Sequence, residues 1–182
     1  MQYNFSLDEF DHLTGQLYVV SNSKPAKRRR RKGWLFTSSI FIITGILCYL
    51  SEYVFFANYF LAFGIISLFF YPLYSGWRYK RHYRKYIREI FSNNFGKRIT
   101  LEFTKDYILT NDEDGSESKI SNSIIESIHE LSRHFLIRLN AGQSLIIPIS
   151  KIDEVDSLRN DLTNLAVKLD IEFKDSKDWK WK

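Results

Sequence analysis

The side chains that could carry out chemistry are scattered along this sequence and form no recognisable catalytic set. The four histidines are His12, His82, His129 and His134. The last two flank a predicted turn and could meet across a hairpin, but no third ligand of the kind a protein zinc site needs lies at a suitable spacing. The sequence therefore predicts no metal site and no other cofactor.

An acidic tetrapeptide, Asp112-Glu113-Asp114-Gly115, resembles the start of a calcium-binding loop. The bidentate glutamate that such a loop requires at its end is missing, because position 123 is Ser. The sequence also lacks a phosphate loop, a dinucleotide glycine fingerprint, a nucleophile elbow and an HExxH zinc motif. We therefore expect an acidic surface turn here, and a protein that is not an enzyme.

Two dense basic runs carry the strongest remaining signal. Seven Lys and Arg lie between Lys24 and Lys32, and six lie between Arg78 and Arg88. Such residues are retained on the cytoplasmic side of an inserting helix, and each attracts anionic headgroups by about 1 kcal/mol. The two basic runs could therefore set the topology of the membrane segment or bind lipid, and both roles remain open. The candidate contacts are Lys27, Arg28, Arg29, Arg30, Arg31, Lys32, Arg78, Lys80, Arg81, Arg84 and Lys85.

The segment between the two runs predicts a transmembrane hairpin. From Gly33 to Trp77 the sequence contains one charged residue, Glu52. Helices over about 34–50 and 53–75 would each be close in length to the roughly 20 residues needed to cross a hydrocarbon core, the first slightly shorter and the second slightly longer. The turn between them would place Glu52 in water on the far side of the membrane.

Both basic runs fall at the same end of this hairpin, which predicts that both termini are cytoplasmic in a bacterial inner (plasma) membrane. Four aromatic residues, Trp34, Tyr71, Tyr74 and Trp77, are expected at the cytoplasmic interface. A cleaved signal peptide is disfavoured because the apolar stretch begins too late and lacks a small-residue cleavage pattern. A pair of soluble core helices and a nucleic-acid-binding patch are the less favoured readings, so no nucleic-acid partner is expected.

The first 32 residues predict a strand and an amphipathic helix ahead of the basic run. The strand would be formed by Gln2-Tyr3-Asn4-Phe5. Ser6 and Glu9 have the spacing of a capping box, in which each side chain binds a backbone amide at the helix start. Apolar residues then recur every three or four positions, so one face of the helix could pack on the cytoplasmic domain or on the membrane surface.

Short strands and one helix are predicted beyond the hairpin. Residues 78–95 would continue the second crossing as a basic helical stalk, and about six strands alternate with turns in the region 96–170. Leucines spaced by three and four residues over 155–169 predict a closing helix. It is followed by a tail at 171–182 that could add an edge strand, lie against the membrane or be disordered. The predicted fold is therefore α+β: a transmembrane hairpin at 33–77, then a small antiparallel β-barrel or sandwich closed by a C-terminal helix.

The hairpin, the stalk and four segments of the strand-rich region resemble the bacterial YcxB-like family. The resemblance covers most of residues 30–169 and implies a pleckstrin-homology-like or GRAM-like domain after two transmembrane helices. It implies no catalytic residue. The four segments are Lys97-Arg98-Ile99-Thr100-Leu101-Glu102-Phe103, Ser118-Lys119-Ile120, Ile124-Ile125-Glu126-Ser127-Ile128 and Ile146-Ile147-Pro148-Ile149-Ser150-Lys151.

Three functional hypotheses follow from these patterns. The first is a non-enzymatic integral membrane protein whose cytoplasmic pleckstrin-like domain binds a protein partner or lipid headgroups. The second is an immunity or defence-related membrane protein that neutralises a toxin. The third is a subunit of an oligomeric channel or transporter, since two helices could form a pore in an assembly of copies. The expected partners are the lipid bilayer and either another protein or further copies of this chain.

Overall fold

The computed structural model describes residues 2–181, which form two compact units. One unit contains the chain up to Val19 together with Arg84–Lys180, and the other contains Val20–Tyr83 and Trp181. In chain order the elements are β1 (Gln2–Ser6), α1 (Glu9–Asn22), α2 (Lys24–Leu50), α3 (Val54–Phe91), β2 (Arg98–Phe103), β3 (Tyr107–Asp112), β4 (Glu117–Ser121), β5 (Ile125–Glu130), β6 (His134–Leu139), β7 (Ser144–Pro148), α4 (Val155–Leu169) and β8 (Glu172–Asp175).

Helices α2 and α3 are both long enough and apolar enough to span a membrane. Helix α2 begins at Lys24, earlier than predicted, because the Ser23 side chain accepts a hydrogen bond from the Ala26 N–H and Pro25 suits the first helical turn. Helix α3 runs without interruption through the second crossing and the predicted stalk to Phe91. In each helix 11% of the most apolar window is buried, whereas a core helix of a soluble protein would be mostly covered.

The two long helices approach each other closely at Gly45 and Gly64. A Cβ atom on Gly64 would lie 2.7 Å from Cγ1 of Ile42, and one on Gly45 would lie 2.8 Å from a side-chain carbon of α3. Between the helices, the hydroxyl oxygens of Ser38 and Ser67 are 2.8 Å apart. Small residues and hydroxyl contacts of this kind are typical of helix pairs that pack within a membrane.

The other unit contains two four-stranded sheets. The first has the order β1-β2-β3-β4 and is antiparallel throughout, while the second has the order β7-β6-β5-β8, with β8 parallel to β5. The α+β class is confirmed. Of the two predicted forms, barrel or sandwich, the barrel is wrong because neither sheet closes on itself, and the predicted antiparallel pairing fails at β8. The sheets share one apolar core with α1 and α4, to which α4 contributes the fully buried Leu158 and Leu162.

Two of the four edge strands, β1 and β8, lie far apart in the sequence, one before the hairpin and one after α4. Strand β1 precedes the hairpin, yet its Tyr3 lies opposite Leu101 of β2. Strand β8 forms within the tail and places Phe173 opposite Ile128 of β5, so the tail adds an edge strand. The chain up to Val19 and the strand-rich region belong to one compact unit, whereas Val20 to Lys32 belong to the unit that contains the hairpin.

Helix α1 begins with a different pair of capping residues from the predicted one. Asp8 Oδ1 accepts the Asp11 N–H at 2.9 Å, and Asp11 Oδ2 accepts the Asp8 N–H at 3.0 Å. These aspartates therefore take the reciprocal places that the sequence assigned to Ser6 and Glu9. Glu9 instead forms an ion pair with Arg88 near the end of α3, with an N–O distance of 2.7 Å.

Candidate functional site

Charge is divided unequally between the two units. The segment Val20–Tyr83 contains ten Lys and Arg and one acidic residue, Glu52, which lies in the turn between α2 and α3. Residues 2–19 and 84–180 carry fifteen Lys and Arg against twenty Asp and Glu. An anionic ligand would therefore be attracted to the end of the hairpin opposite Glu52 rather than to the acidic α+β unit.

A groove of ≈ 410 Å³ lies along one side of the α2–α3 seam at this basic end. The two helices contribute one arginine each, and tyrosines make up half of the lining residues. Its floor includes Ser75, which is buried. The lining residues are Arg29, Tyr71, Tyr74, Ser75, Arg78, Tyr79, His82 and Tyr83.

A second groove of ≈ 200 Å³ is lined by three cations of α2 and shares Tyr71 and Ser75 with the first. Tyr71 can lie against α2 because position 33 is glycine, where a Cβ atom would be 2.9 Å from the Tyr71 hydroxyl oxygen. This hydroxyl therefore lies at the backbone of α2, among the basic side chains. The lining residues of the second groove are Lys27, Arg30, Arg31, Trp34, Tyr71, Pro72 and Ser75.

Trp34 has a structural role that the sequence analysis missed. Pro72 lies inside α3 and has no N–H, so the Leu68 carbonyl loses its usual helical donor. The Trp34 indole Nε1–H donates to that carbonyl oxygen at 3.1 Å. Trp34 thus satisfies a backbone acceptor across the seam, in addition to having the residue type expected at a membrane interface.

The side chain of Arg30 lies near two aromatic rings. Its guanidinium carbon is 5.6 Å from the centre of the Tyr79 ring and 5.1 Å from that of Trp181, distances at which cation–π attraction operates. Trp181 is held by its own Nε1–H, which donates to the Gly76 carbonyl at 3.0 Å. The last described residue of the tail therefore belongs to the basic end of the hairpin.

The remaining predicted contacts lie outside the two grooves. Arg28 and Lys32 line an open concave surface on α2 with Arg29, and Arg81 lies 5.3 Å from the centre of the Trp77 ring. Lys80 is exposed and lies in sequence between Tyr79 and His82, which both line the first groove. Two further predicted contact residues have carboxylate partners. The N–O distance is 3.4 Å between Arg84 and Glu9 and 3.6 Å between Lys85 and Glu89.

In the α+β unit, the buried carboxylate of Asp11 fastens α1 to the sheets. Its Oδ1 lies 2.7 Å from His134 Nε2, and its Oδ2 accepts from Lys151 Nζ at 2.7 Å. Lys151 also donates to the Ser6 carbonyl at 3.0 Å and to Asp8 Oδ2 at 3.1 Å. Burial alone would raise the pKa of the Asp11 carboxyl group, but the bonds from His134 and Lys151 outweigh burial and hold that pKa below its ordinary value.

A second buried cluster centres on His129. Its Nδ1 lies 2.9 Å from the Tyr18 hydroxyl, which also donates to Ser176 Oγ, and its Nε2 lies 2.8 Å from Ser127 Oγ. Burial, assisted by the positive charge of Arg138, lowers the pKa of His129. Ser127 and His129 are 6% and 5% exposed, so this pair joins α1, β5 and the tail and does not face a substrate cleft.

A third buried side chain, the carboxylate of Glu130, links β5 to both α4 and the tail. Its Oε1 accepts from Arg159 Nη2 at 3.0 Å and from Lys177 Nζ at 3.2 Å. The side chain of Glu130 is 4% exposed, whereas those of the two cations are 36% and 48% exposed. A charge withdrawn from water in this way is stable only when paired, so the arrangement is structural.

The predicted meeting of His129 and His134 does not occur, because each binds a different residue of α1. Within residues 2–181, no group of three or more His, Cys, Asp and Glu side chains is arranged to hold a metal ion. The acidic tetrapeptide forms a surface turn in which Asp112 Oδ1 accepts the N–H groups of Asp114 and Ser116.

Compared with known proteins, this chain matches no family model, no curated protein and no solved structure. Guanidinium and phenol groups donate hydrogen bonds to anionic oxygens, and guanidinium groups do so in a geometry that fits phosphate. The basic end of the hairpin is thus suited to binding an anion.

Proposed function

We propose that this protein is a non-enzymatic integral membrane protein that binds anionic lipid headgroups at the basic end of its hairpin and presents its α+β domain to a protein partner. One observation carries the proposal. Ten cations, several aromatic rings and two grooves are gathered at one end of two apolar helices whose surfaces are largely exposed. In water such helices would expose far more apolar surface than soluble monomers tolerate.

In this proposal the hairpin at 33–77 crosses a bacterial inner membrane, with both basic runs and both termini in the cytoplasm. The positive-inside rule supports this orientation, because ten cations belong to one end of the hairpin and Glu52 to the other. Trp34 and Trp77 then lie at the depth where aromatic residues are enriched. The close glycine contacts and the bond between Ser38 and Ser67 support a pair of helices that remain together in lipid.

We further propose that the chain is a YcxB-like protein with a pleckstrin-homology-like or GRAM-like domain. Two observations support this: two long apolar helices precede most of the strands, and two sheets share a core with a C-terminal helix. The chain differs from the expected arrangement in one respect. Its first strand and first helix precede the hairpin, so the membrane segment is inserted within the domain rather than placed ahead of it.

The protein partner would dock most readily on β4. This strand pairs with β3 on one side, and four of its five residues are exposed. Main-chain groups along such an edge can accept an added strand from a partner. The charged Glu117 and Lys119 on β4 would discourage unspecific pairing, which is a common feature of exposed edges.

Extraction and lipid analysis test the proposal together. Membranes from cells that express the full chain are washed with alkaline carbonate, and the protein is then purified in mild detergent for mass spectrometry of bound lipid. The protein should stay in the washed membranes and carry anionic phospholipid in excess of its share of the membrane. Release into the carbonate supernatant would contradict the membrane assignment, and bound lipid of average composition would contradict headgroup binding.

A further inference from the structure

We propose that the larger groove, lined by Arg29, Arg78 and their neighbours, binds the phosphate of one phospholipid whose headgroup carries hydroxyl groups and no amine. This inference rests on the proposed membrane location. The proposed function states only that the basic end of the hairpin attracts anionic headgroups. The inference adds a defined binding site and a preference for one class of headgroup. The headgroup class is that of phosphatidylglycerol.

Two guanidinium groups from different helices make the groove a phosphate site. Arg29 belongs to α2 and Arg78 to α3, so a ligand between them would contact both sides of the seam. Arginine stays charged at all physiological pH values and can donate two parallel hydrogen bonds to phosphate oxygens. Tyr71, whose hydroxyl lies at the backbone of α2, adds a neutral donor to the same space.

The surroundings of the groove favour a lipid over a soluble phosphate compound. Tyr71 and Tyr74 are the lining residues nearest in sequence to the apolar stretch of α3, and the residues just before them, Phe70 and Leu73, are 63% and 71% exposed. On α2, Phe36 is 68% exposed. A phosphate held by the arginines would therefore have apolar side chains within about two helical turns, where the acyl chains of a phospholipid could lie.

The charge of the lining determines the headgroup. None of its eight residues is acidic, and Glu52 is the one acidic residue between His12 and Arg88 in the sequence. An ammonium group on the ligand would meet two guanidiniums and no carboxylate, so ethanolamine and serine headgroups gain no counter-charge. Hydroxyl groups can instead exchange hydrogen bonds with Tyr79, Tyr83 and His82 along the remaining wall.

Lipid titration of the full-length protein in a neutral detergent tests the site. Short-chain phosphatidylglycerol is added, and native mass spectrometry counts the lipids bound to the intact protein. In the double variant Arg29→Gln and Arg78→Gln, loss of two charge-assisted contacts should weaken binding about tenfold or more. The matched control, Lys80→Gln with Arg81→Gln, removes the same charge from α3 residues that line neither groove and should change binding less than about threefold.

Three outcomes would overturn the inference. Equal losses in the groove and control variants would show unspecific attraction, and equal binding of phosphatidylethanolamine would remove the headgroup preference. Competition by glycerol phosphate as strong as that by the lipid would indicate a soluble ligand. Carbonate extraction of the same preparations separates these results from failure of the membrane assignment, because a site can be wrong in a protein that still spans the bilayer.

A crosslinking measurement keeps the inference testable if the double variant does not accumulate. A photoreactive amino acid is placed at Leu73, beside the groove, with both arginines kept. Illumination in native membranes should attach phosphatidylglycerol in clear excess over phosphatidylethanolamine, relative to their shares of the membrane. The same residue at Phe55, which is 79% exposed near the opposite end of α3, should attach the two lipids in proportion to their abundance.

Discussion

The indole nitrogen of Trp34 lies 3.1 Å from the carbonyl oxygen of Leu68, the acceptor that Pro72 leaves without a helical donor. One side chain of α2 therefore compensates for a proline in α3. In a bilayer, where water is scarce, an unpaired carbonyl is costly, so this contact connects helix packing to backbone chemistry.

A double-mutant cycle tests that connection. Trp34→Phe should lower the free energy of unfolding of the hairpin by about 1–3 kcal/mol, because the Leu68 carbonyl is left without a donor. In a Pro72→Ala background the new Ala N–H can bind the same carbonyl, so the cost of Trp34→Phe should be much smaller. Denaturant titration of the full chain in micelles measures the loss of unfolding free energy caused by Trp34→Phe in each background. Equal losses in the two backgrounds would refute the coupling.

The bonds of Asp11 predict a large effect on the α+β unit. Asp11→Asn should lower the free energy of unfolding of the α+β unit by about 3 kcal/mol. The reason is that His134 and Lys151 would lose the carboxylate charge with which they pair. Asp8→Asn is the matched control: Asp8 is 54% exposed at its side chain, and Asn caps helices equally well, so about 1 kcal/mol or less is expected. Comparable losses in the two variants would mean that Asp11 does not fasten α1 to the sheets.

The apolar stripe of α4 provides another matched pair. Leu162 is fully buried, whereas Val167 on the same helix is 77% exposed. Leu162→Asp should unfold the α+β unit, because a buried carboxylate without a partner costs several kcal/mol against a total stability of about 5–15 kcal/mol. Limited proteolysis of the full chain should therefore degrade this unit in Leu162→Asp and spare it in Val167→Asp. Protection of both variants would show that the stripe is not core.

Acidic pH should weaken the α+β unit through His129 and His12. Burial lowers the pKa of both imidazoles below their ordinary 6.5 in the folded chain. The unfolded chain then binds protons more readily, so the stability that these groups provide is complete above pH 6.5 and is lost as the pH falls toward the folded pKa values. Asp11 adds no change in this range, because its lowered pKa keeps it ionised.

Thermal unfolding of the full chain at about pH 7.5 and about pH 5.5 measures this effect. The midpoint should fall at the lower pH. It should fall less in the His129→Gln variant, since one of the two imidazoles with a lowered pKa is gone. The charged groups that influence His129 are Arg138, Lys174, Glu172 and Glu126. Two results would contradict the role given to His129. One is a midpoint that rises on acidification, and the other is a pH-dependent fall in midpoint that is the same in the His129→Gln variant as in the unaltered protein.

Local patterns were sufficient to predict the two apolar helices, the acidic turn and the helix α4. Each of these depends on residues within one or two turns of one another, such as the leucines at 158, 162 and 165. The basic runs also marked the end of the hairpin at which both grooves lie. The sequence did not show which of the cations would line them, because Arg29 and Arg78 meet only through the packing of α2 on α3.

Pairing between distant residues could not be predicted in the same way. The register that sets Tyr3 opposite Leu101 depends on strands at the two sides of the hairpin, and the alternation within β1 gives no information about its partner. The contact of Asp11 with His134 and Lys151 is similarly remote in sequence. A carboxylate three residues after Asp8 was a usable capping signal, but Ser6 with Glu9 matched the familiar pattern better.

Cysteine labelling in living cells tests the central claim most directly. In a Cys48→Ser background, single cysteines are introduced at Ser51, in the turn between α2 and α3, and at Ser116, in the exposed turn before β4. If the hairpin crosses the inner membrane with both ends inside, an impermeant maleimide applied to spheroplasts should label position 51 and should reach position 116 only after lysis. Labelling of both positions, or of neither, in intact spheroplasts would contradict the proposed transmembrane hairpin.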